Sequence, residues 1–174
     1  QLIKYKDDKM IELRDAGIEF NLPFPPLVRK ERDVNLIISF DASSNVLDRE
    51  AAFKLFKDAE QYCRIHNLKF PEINYSDLVG KINKQNLTVI GDPDDPDALT
   101  IIYVPIIKNI NLERPFDTFE PTKAVFTGTF NFNYNEDQFN TLAEYARLNA
   151  LNLKPQIIDI IKRKTEALNR KKGR

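Results

Sequence analysis

The sequence predicts an α/β fold in which a mixed sheet is flanked by helices. Residues 34–40 form a short apolar run rich in β-branched side chains, the pattern of a strand buried on both faces. Residues 99–107 form a second such run, in which Pro105 marks a bulge, an edge or the strand's limit. Between them, residues 49–66 carry apolar side chains at helical spacing. This spacing indicates an amphipathic helix that covers one face of the sheet.

The totals are those of one folded domain. The chain has 174 residues, enough to bury a core, and its formal net charge of zero gives no sign of nucleic-acid binding. A single cysteine, Cys63, excludes an intrachain disulfide. No apolar run approaches the roughly 20 residues that a membrane-spanning helix needs, and no signal peptide is visible.

Local signals place the first helices. Asp48 is a good N-cap for the helix over 49–66, which we expect to end near Asn67, because Asn tolerates the left-handed conformation. Cys63 falls on its apolar face and is interpreted as a small core residue. Residues 75–87 are ambiguous and are interpreted as a short helix, followed by a strand around 87–90.

The last third of the chain predicts one extended segment and two helices. Alternating aromatic residues over 127–132 predict a short strand or an extended segment with Phe130 and Phe132 facing inward. Asn135 and Gln138 have the spacing of a capping box at the start of a helix. Pro155 is predicted to start a second helix, because proline is favoured in a first turn.

A carboxylate follows the first strand-like run. Residues 10–13 read as a strand, Asp15 ends it, and Gly17 supplies the freedom that a tight turn needs. In α/β folds, ligands bind outside the carboxyl ends of strands, which makes Asp15 a candidate functional residue. The alternative is a turn residue that bonds to nearby backbone N–H groups, and Asp-Ala-Gly alone favours that alternative.

A longer string of residues carries more information. The motifs are Asp-Ala-Gly at 15–17, Phe-Asn-Leu-Pro-Phe-Pro at 20–25, Arg32, and the apolar run 34–41, with weaker echoes at 67–71 and 130–132. Together they resemble the C-terminal part of the cytosolic phospholipase A2 catalytic domain, a patatin-like lipase fold shared with lysophospholipases. The likeness runs through most of residues 1–174, although only its first quarter is highly specific.

The resemblance implies phospholipid acyl-ester hydrolysis by a Ser/Asp dyad without histidine. Asp15 would be the catalytic base, Gly17 and Asn21 would support its turn, and Arg32 would bind the substrate phosphate. A carboxylate suffices as base if it is held against the serine, and an Arg fork suits phosphate. The alternative for Arg32 is a surface ion pair with Glu31 or Asp33. Lysophospholipase or phospholipase B activity, or a non-catalytic lipid-binding relative, are the alternative functions.

We expect residues 1–174 to be the C-terminal portion of one catalytic domain, inactive alone. The chain begins with Gln1, and it contains neither a Gly-x-Ser-x-Gly elbow nor a Gly-rich oxyanion loop. The implied partners are a phospholipid or lysophospholipid substrate, a transient membrane surface and the upstream part of the same domain. The implied location is cytoplasmic and peripheral at membranes. No metal or other cofactor is expected in this chain, since calcium in this family serves a separate membrane-docking domain.

Three further features invite functional readings. His66 is the only histidine, but its place at a helix end and the family's dyad argue against a Ser-His-Asp triad. Four aspartates over 91–97 are interpreted as an exposed acidic loop, because two prolines break the calcium-loop pattern. The basic end of the last helix, over 162–174, is a solvated helix end, an anionic-lipid contact or, least favoured, a nucleic-acid contact.

Overall fold

A three-stranded mixed sheet lies between two helices. The computed structural model describes residues 20–43, 46, 48–82, 84–120, 125–128 and 130–173. In chain order the elements are α1 (Phe24–Leu27), a 3-10 turn (Lys30–Arg32), β1 (Leu36–Asp41), α2 (Arg49–Ile65), α3 (Tyr75–Lys81), β2 (Thr88–Ile90), β3 (Thr100–Pro105), a second 3-10 turn (Val125–Thr127) and α4 (Glu136–Lys172). The α/β class, the mixed sheet and the flanking helices are therefore confirmed.

The strands are ordered β1–β3–β2. β1 runs parallel to β3, with Leu36 opposite Thr100 and Asp41 opposite Pro105. β2 is antiparallel to β3, with Thr88 opposite Tyr103. Pro105 is the last residue of β3, as expected for a residue that cannot donate to the ladder.

The first core lies between the sheet and α2. Phe56 of α2 meets the Tyr103 ring edge-on at 5.2 Å, and Phe24 of α1 lies 5.9 Å from Phe56. The predicted cap is present, since the Asp48 carboxylate accepts from the N–H groups of Glu50 and Ala51 at 2.9 and 3.2 Å. α2 ends as expected, with Asn67 at a positive φ of 51°.

The second core lies between the other sheet face and α4. It contains Ile102 and Val104 of β3 with Leu153 and Ile160 of α4, and Leu36 is its only partly buried member from β1. The prediction that the strand over 34–40 is buried on both faces is wrong in the described part of the chain, because Ile38 and Phe40 of β1 are exposed. The physical reason is that β1 is an edge strand there, and α4 packs over β3 and β2.

The two helices predicted at the end of the chain form one continuous helix, α4. α4 starts at the predicted capping box, where Asn135 and Gln138 exchange bonds of 2.9 and 3.0 Å, but it continues through Pro155. Pro155 leaves the Leu151 carbonyl without its helical N–H partner. Both residues are exposed, so water can reach that carbonyl, and Leu153 and Ile160 pack on the sheet on either side. The predicted helix start at Pro155 is therefore wrong.

The segment before α4 also differs from its prediction. Phe130 and Phe132 are 88% and 82% exposed, not inward. The Asn131 side chain donates to the Phe126 carbonyl at 2.6 Å, and the Asn131 N–H donates to Gly128 at 2.9 Å. These bonds fold the segment back on the 3-10 turn, so its described residues make no strand.

Gly91 joins β2 to the acidic loop at a position that requires glycine. Its φ is +84°, and a Cβ there would lie 2.3 Å from the Leu99 carbonyl oxygen. None of the helices in the described ranges has the length and apolarity to cross a membrane.

Candidate functional site

The predicted site residues fall into two groups. Asp15 and Gly17 lie outside the described residues, so their predicted roles stay predictions. Arg32 and Asn21 are described, and both side chains are exposed. The structure therefore shows which segments hold Arg32 and Asn21 in place.

Arg32 ends the 3-10 turn that precedes β1. Its N–H donates to the Arg29 carbonyl at 2.9 Å, and the left-handed Asp33 (φ 44°, ψ 46°) closes the turn. The turn is tied to the fold through Asn35, whose amide donates to the Asp33 carbonyl at 3.1 Å and accepts from the Lys69 ammonium at 2.9 Å. Arg32 thus sits at the amino end of β1.

The alternative role given for Arg32 does not hold in the described chain. Neither Glu31 nor Asp33 forms an ion pair with it, and no other described carboxylate does so. A guanidinium that is exposed and unpaired is available to an anion from outside. The predicted role of Arg32 in phosphate binding stays a prediction.

Asn21 lies in a segment that its neighbours anchor. Leu22 and Phe24 are buried, and the Phe24 N–H donates to the Leu22 carbonyl at 2.8 Å. Prolines at the N-cap position and in the first turn begin α1, a single helical turn. Proline is tolerated there because first-turn N–H groups have no helical partner. Asn21's predicted support of the Asp15 turn stays a prediction.

Asp41 is a buried carboxylate at the carboxyl end of β1. It is 3% exposed, and its two oxygens accept from the Tyr103 hydroxyl at 2.8 Å and the Ser43 N–H at 2.9 Å. Burial first, and then the Asp41 charge, raise the pKa of Tyr103 well above its ordinary value. Both oxygens are occupied, which makes Asp41 an anchor rather than a free base. The signal that could have found it is the one used for Asp15, a carboxylate at the end of a strand.

His66 and Cys63 have structural settings. The Tyr62 and His66 rings lie 4.3 Å apart between centroids at a tilt of 38°, and none of the described hydroxyls or carboxylates bonds to His66. Cys63 is fully buried, and burial raises the pKa of its thiol from 9.0 to about 11. The interpretation of Cys63 as a core residue is therefore confirmed.

The acidic loop and the basic helix end meet. Arg163 binds both carboxylate oxygens of Asp94, with Nε and Oδ1 3.2 Å apart, and Lys171 binds Asp97. These bonds hold the carboxyl pKa values of Asp94 and Asp97 below their usual range and raise those of Arg163 and Lys171. Neither the acidic loop nor the basic helix end is only a solvated surface, because each partly neutralises the charge of the other.

Lys164 completes this contact from inside. It is 2% exposed and donates to the backbone carbonyls of Asp95, at 2.6 Å, and Ala98. Burial, followed by the charge of Lys69, lowers the pKa of Lys164. Within the described ranges, no three His, Cys, Asp or Glu side chains are arranged to hold a metal ion.

The sequence is similar to that of a known phospholipase. The chain is 28% identical over 173 residues to cytosolic phospholipase A2 zeta of Mus musculus, a match that covers 90% of the chain. The chain is homologous to this phospholipase. The match covers 19% of the relative, so the chain spans about a fifth of that protein's length. No family model matches the chain.

The fold has a counterpart among solved structures. Human GIVD cytosolic phospholipase A2, in complex with methyl gamma-linolenyl fluorophosphonate, matches with a TM-score of 0.63 and 21% identity. The match covers 95% of the chain and 25% of that protein. It shows that the sheet and helices described above are part of the cytosolic phospholipase A2 fold, as the resemblance implied.

Proposed function

We propose that this chain supplies the aspartate of a Ser/Asp dyad that hydrolyses the acyl ester of a phospholipid. The observation that carries the proposal is the homology to cytosolic phospholipase A2 zeta over 90% of the chain. The Asp-Ala-Gly motif at 15–17, on which the resemblance rests, supports Asp15 as that aspartate. The serine would come from a part of the patatin-like domain outside residues 1–174, since the chain has no Gly-x-Ser-x-Gly elbow.

The proposed chemistry divides between the two parts of the domain. The Asp15 carboxylate takes the proton of the serine hydroxyl as it attacks the ester carbonyl, and returns it to the leaving alcohol. Backbone N–H groups of the other part stabilise the oxyanion. Arg32 binds the lipid phosphate, and its exposure without an ion-pair partner in the described chain supports that role.

The cellular location and the cofactor requirement follow from the same proposal. The name of the relative supports a cytoplasmic location. We expect the enzyme to contact membranes transiently to reach its substrate. We expect no cofactor in residues 1–174, and any calcium dependence would come from a separate membrane-docking domain.

The test uses the protein that joins this chain to the serine-bearing region. Asp15→Asn should lower phospholipid hydrolysis at least about 100-fold, because the amide cannot accept the serine proton. Labelling of the serine by a fluorophosphonate should fall with it. Asp92→Asn, an exposed carboxylate in the acidic loop, is the matched control and should leave both unchanged. Hydrolysis unaffected by Asp15→Asn would contradict the dyad, and hydrolysis by residues 1–174 alone would contradict the two-part site.

The same preparation separates the alternatives. Cleavage of diacyl phospholipid at one position supports phospholipase A2 activity, whereas preference for monoacyl substrates supports lysophospholipase activity. Vesicle binding without hydrolysis by the unmutated protein would support the non-catalytic relative.

A further inference from the structure

An open pocket of about 570 Å³ lies beside the 3-10 turn that carries Arg32. Its charged and aromatic lining comes from two places, the turn and the C-terminal end of α2. The turn contributes Arg29, Lys30 and Glu31, and α2 contributes Tyr62 and the adjoining His66. Arg32 itself does not line the pocket.

The side of the pocket formed by the turn is held by packing beneath it. Phe24 of α1 is almost fully buried between Phe56 and Phe70, at ring distances of 5.9 and 5.7 Å. Two prolines at the start of α1 restrict the backbone and also line the pocket. Arg29 and Lys30 therefore project from a fixed backbone, which lowers the entropy that they lose when they bind a ligand.

The side formed by α2 is an aromatic surface. The Tyr62 ring lies between the Phe20 ring, edge-on at 5.5 Å, and the His66 ring at 4.3 Å. The left-handed Asn67 and the bond from the Leu68 N–H to the Cys63 carbonyl, 2.8 Å, fix the end of the helix. The His66 ring thus lines the pocket next to an apolar surface.

The two cations of this pocket are not neutralised by ion pairs within the described ranges. Arg29 and Lys30 have no ion-pair partner among the described carboxylates, although Glu31 shares the pocket. The contrast is with a second pocket, beside Lys69, where Lys171 is already bound to Asp97. Unpaired cations beside an apolar surface suit an anion that is attached to a carbon skeleton.

We propose that this pocket binds a phosphate-ester group through Arg29, Lys30 and His66. The Arg29 guanidinium offers two parallel N–H donors to the phosphate oxygens, Lys30 adds a point charge, and an N–H of His66 adds a third donor. The aromatic surface of Tyr62 packs against the carbon side of the ester. The site is separate from Arg32 and goes beyond the proposed hydrolysis, since it needs neither Asp15 nor the serine.

The same chemistry is present in a soluble phosphate ester and in a lipid headgroup. The first probe is therefore glycerol phosphate, titrated into the protein while the resonances of Arg29, Lys30 and His66 are followed by NMR. The second probe is a vesicle of phosphatidylcholine, with and without phosphatidic acid. Saturable shifts with glycerol phosphate identify a soluble ester as sufficient. Binding only to phosphatidic acid vesicles identifies a headgroup at the membrane surface.

Charge-neutral variants test the residues. Arg29→Gln combined with Lys30→Gln should weaken binding at least about tenfold, since the two guanidinium hydrogen bonds and the ammonium charge are lost. Lys108→Gln combined with Lys154→Gln removes the same charge from exposed positions outside the pocket and should change affinity less than about twofold. Circular dichroism checks that each variant is folded.

Three outcomes would overturn the proposal. One is the absence of saturable shifts at His66 and of phosphatidic acid-dependent vesicle binding. Another is equal weakening by both double variants, which would mean general electrostatic attraction. The third is loss of binding on Arg32→Gln but not on the Arg29 and Lys30 changes, which would move the phosphate to Arg32 and leave the proposed function intact. Failure of the Asp15→Asn test, in contrast, would leave this pocket unaffected.

Discussion

The two faces of the sheet are built differently. On the α2 face, aromatic and aliphatic side chains such as Phe24, Phe56 and Tyr103 form a dry core. On the α4 face, the apolar cluster is smaller, and buried polar side chains, among them Asn149 and Lys164, make specific bonds to the loops around β3. The first face is held by area removed from water, and the second by a few directed contacts.

The polar contacts on the α4 face satisfy one another. The buried Asn109 amide donates to Asn149 at 2.7 Å and to Asn152 at 3.1 Å, and its oxygen accepts from the Asn111 N–H at 3.0 Å. Nearby, the Tyr145 hydroxyl donates to the Ile107 carbonyl. Such a network fixes how α4 docks rather than how strongly, because each bond mostly replaces one to water.

The largest expected effect is on the α2 face. Phe56→Ala should lower the free energy of unfolding by about 3–5 kcal/mol, because the ring is fully buried and its removal leaves a cavity. Phe40→Ala is the matched control on β1, since that ring is 62% exposed, and it should cost less than about 1 kcal/mol. Urea unfolding measures both. A similar loss of unfolding free energy in the two variants would contradict the claim that apolar burial holds the α2 face.

A smaller effect is expected for Lys164 on the α4 face. Lys164→Met should cost about 1–3 kcal/mol, because the carbonyls of Asp95 and Ala98 lose their donor. Lys162→Met, an exposed neighbour, is the control and should be nearly neutral. Chemical unfolding at neutral pH compares the two, and equal costs would show that the buried ammonium contributes nothing specific.

The pH dependence sharpens this test. The folded pKa of Lys164 is lowered from 10.5, so the unfolded chain binds more protons between the two values, and stability rises with pH across that interval. Lys164→Met should abolish that part of the rise. Lys162→Met should keep it.

The contrast between the faces also explains what the sequence could predict. Local patterns were sufficient for β1, β3, the Asp48 cap of α2 and the Asn135 capping box of α4. Each depends on neighbours within a few residues. The continuation through Pro155 could not be predicted, because packing on the sheet offsets a local penalty. The pairing of Asp94 with Arg163 joins residues 69 apart, and both features looked like separate surfaces in the sequence.

The candidate site likewise has parts that the sequence could predict and parts that it could not. The motif around Asp15 could be found by resemblance, and the role of that residue stays a prediction. The exposure of Arg32 without a described partner could not be inferred, since adjacent Glu31 and Asp33 suggested an ion pair. The pocket that joins Arg29 to His66 depends on how α1 packs against α2, a contact that periodicity does not specify.

The smallest expected effect comes from the exposed ion pairs of the α4 face. Asp94→Asn combined with Asp97→Asn should lower the melting temperature slightly at neutral pH and low salt, and less at high salt, because these pairs are solvent-exposed. Asp92→Asn in the same loop, without an ion pair in the described chain, is the control and should change less.

The carboxyl pKa values of Asp94 and Asp97 determine how the change in melting temperature depends on pH. Both carboxyl pKa values are lowered from 3.8, chiefly by the hydrogen bonds from Arg163 and Lys171. Their stabilisation is therefore complete above pH 3.8 and is lost as the pH falls through the folded values. The difference in melting temperature between wild type and the double variant should vanish there. If instead it persisted in acid, or approached that of Phe56→Ala at neutral pH, the loop would be held by packing, and the two faces would be less different than their contacts indicate.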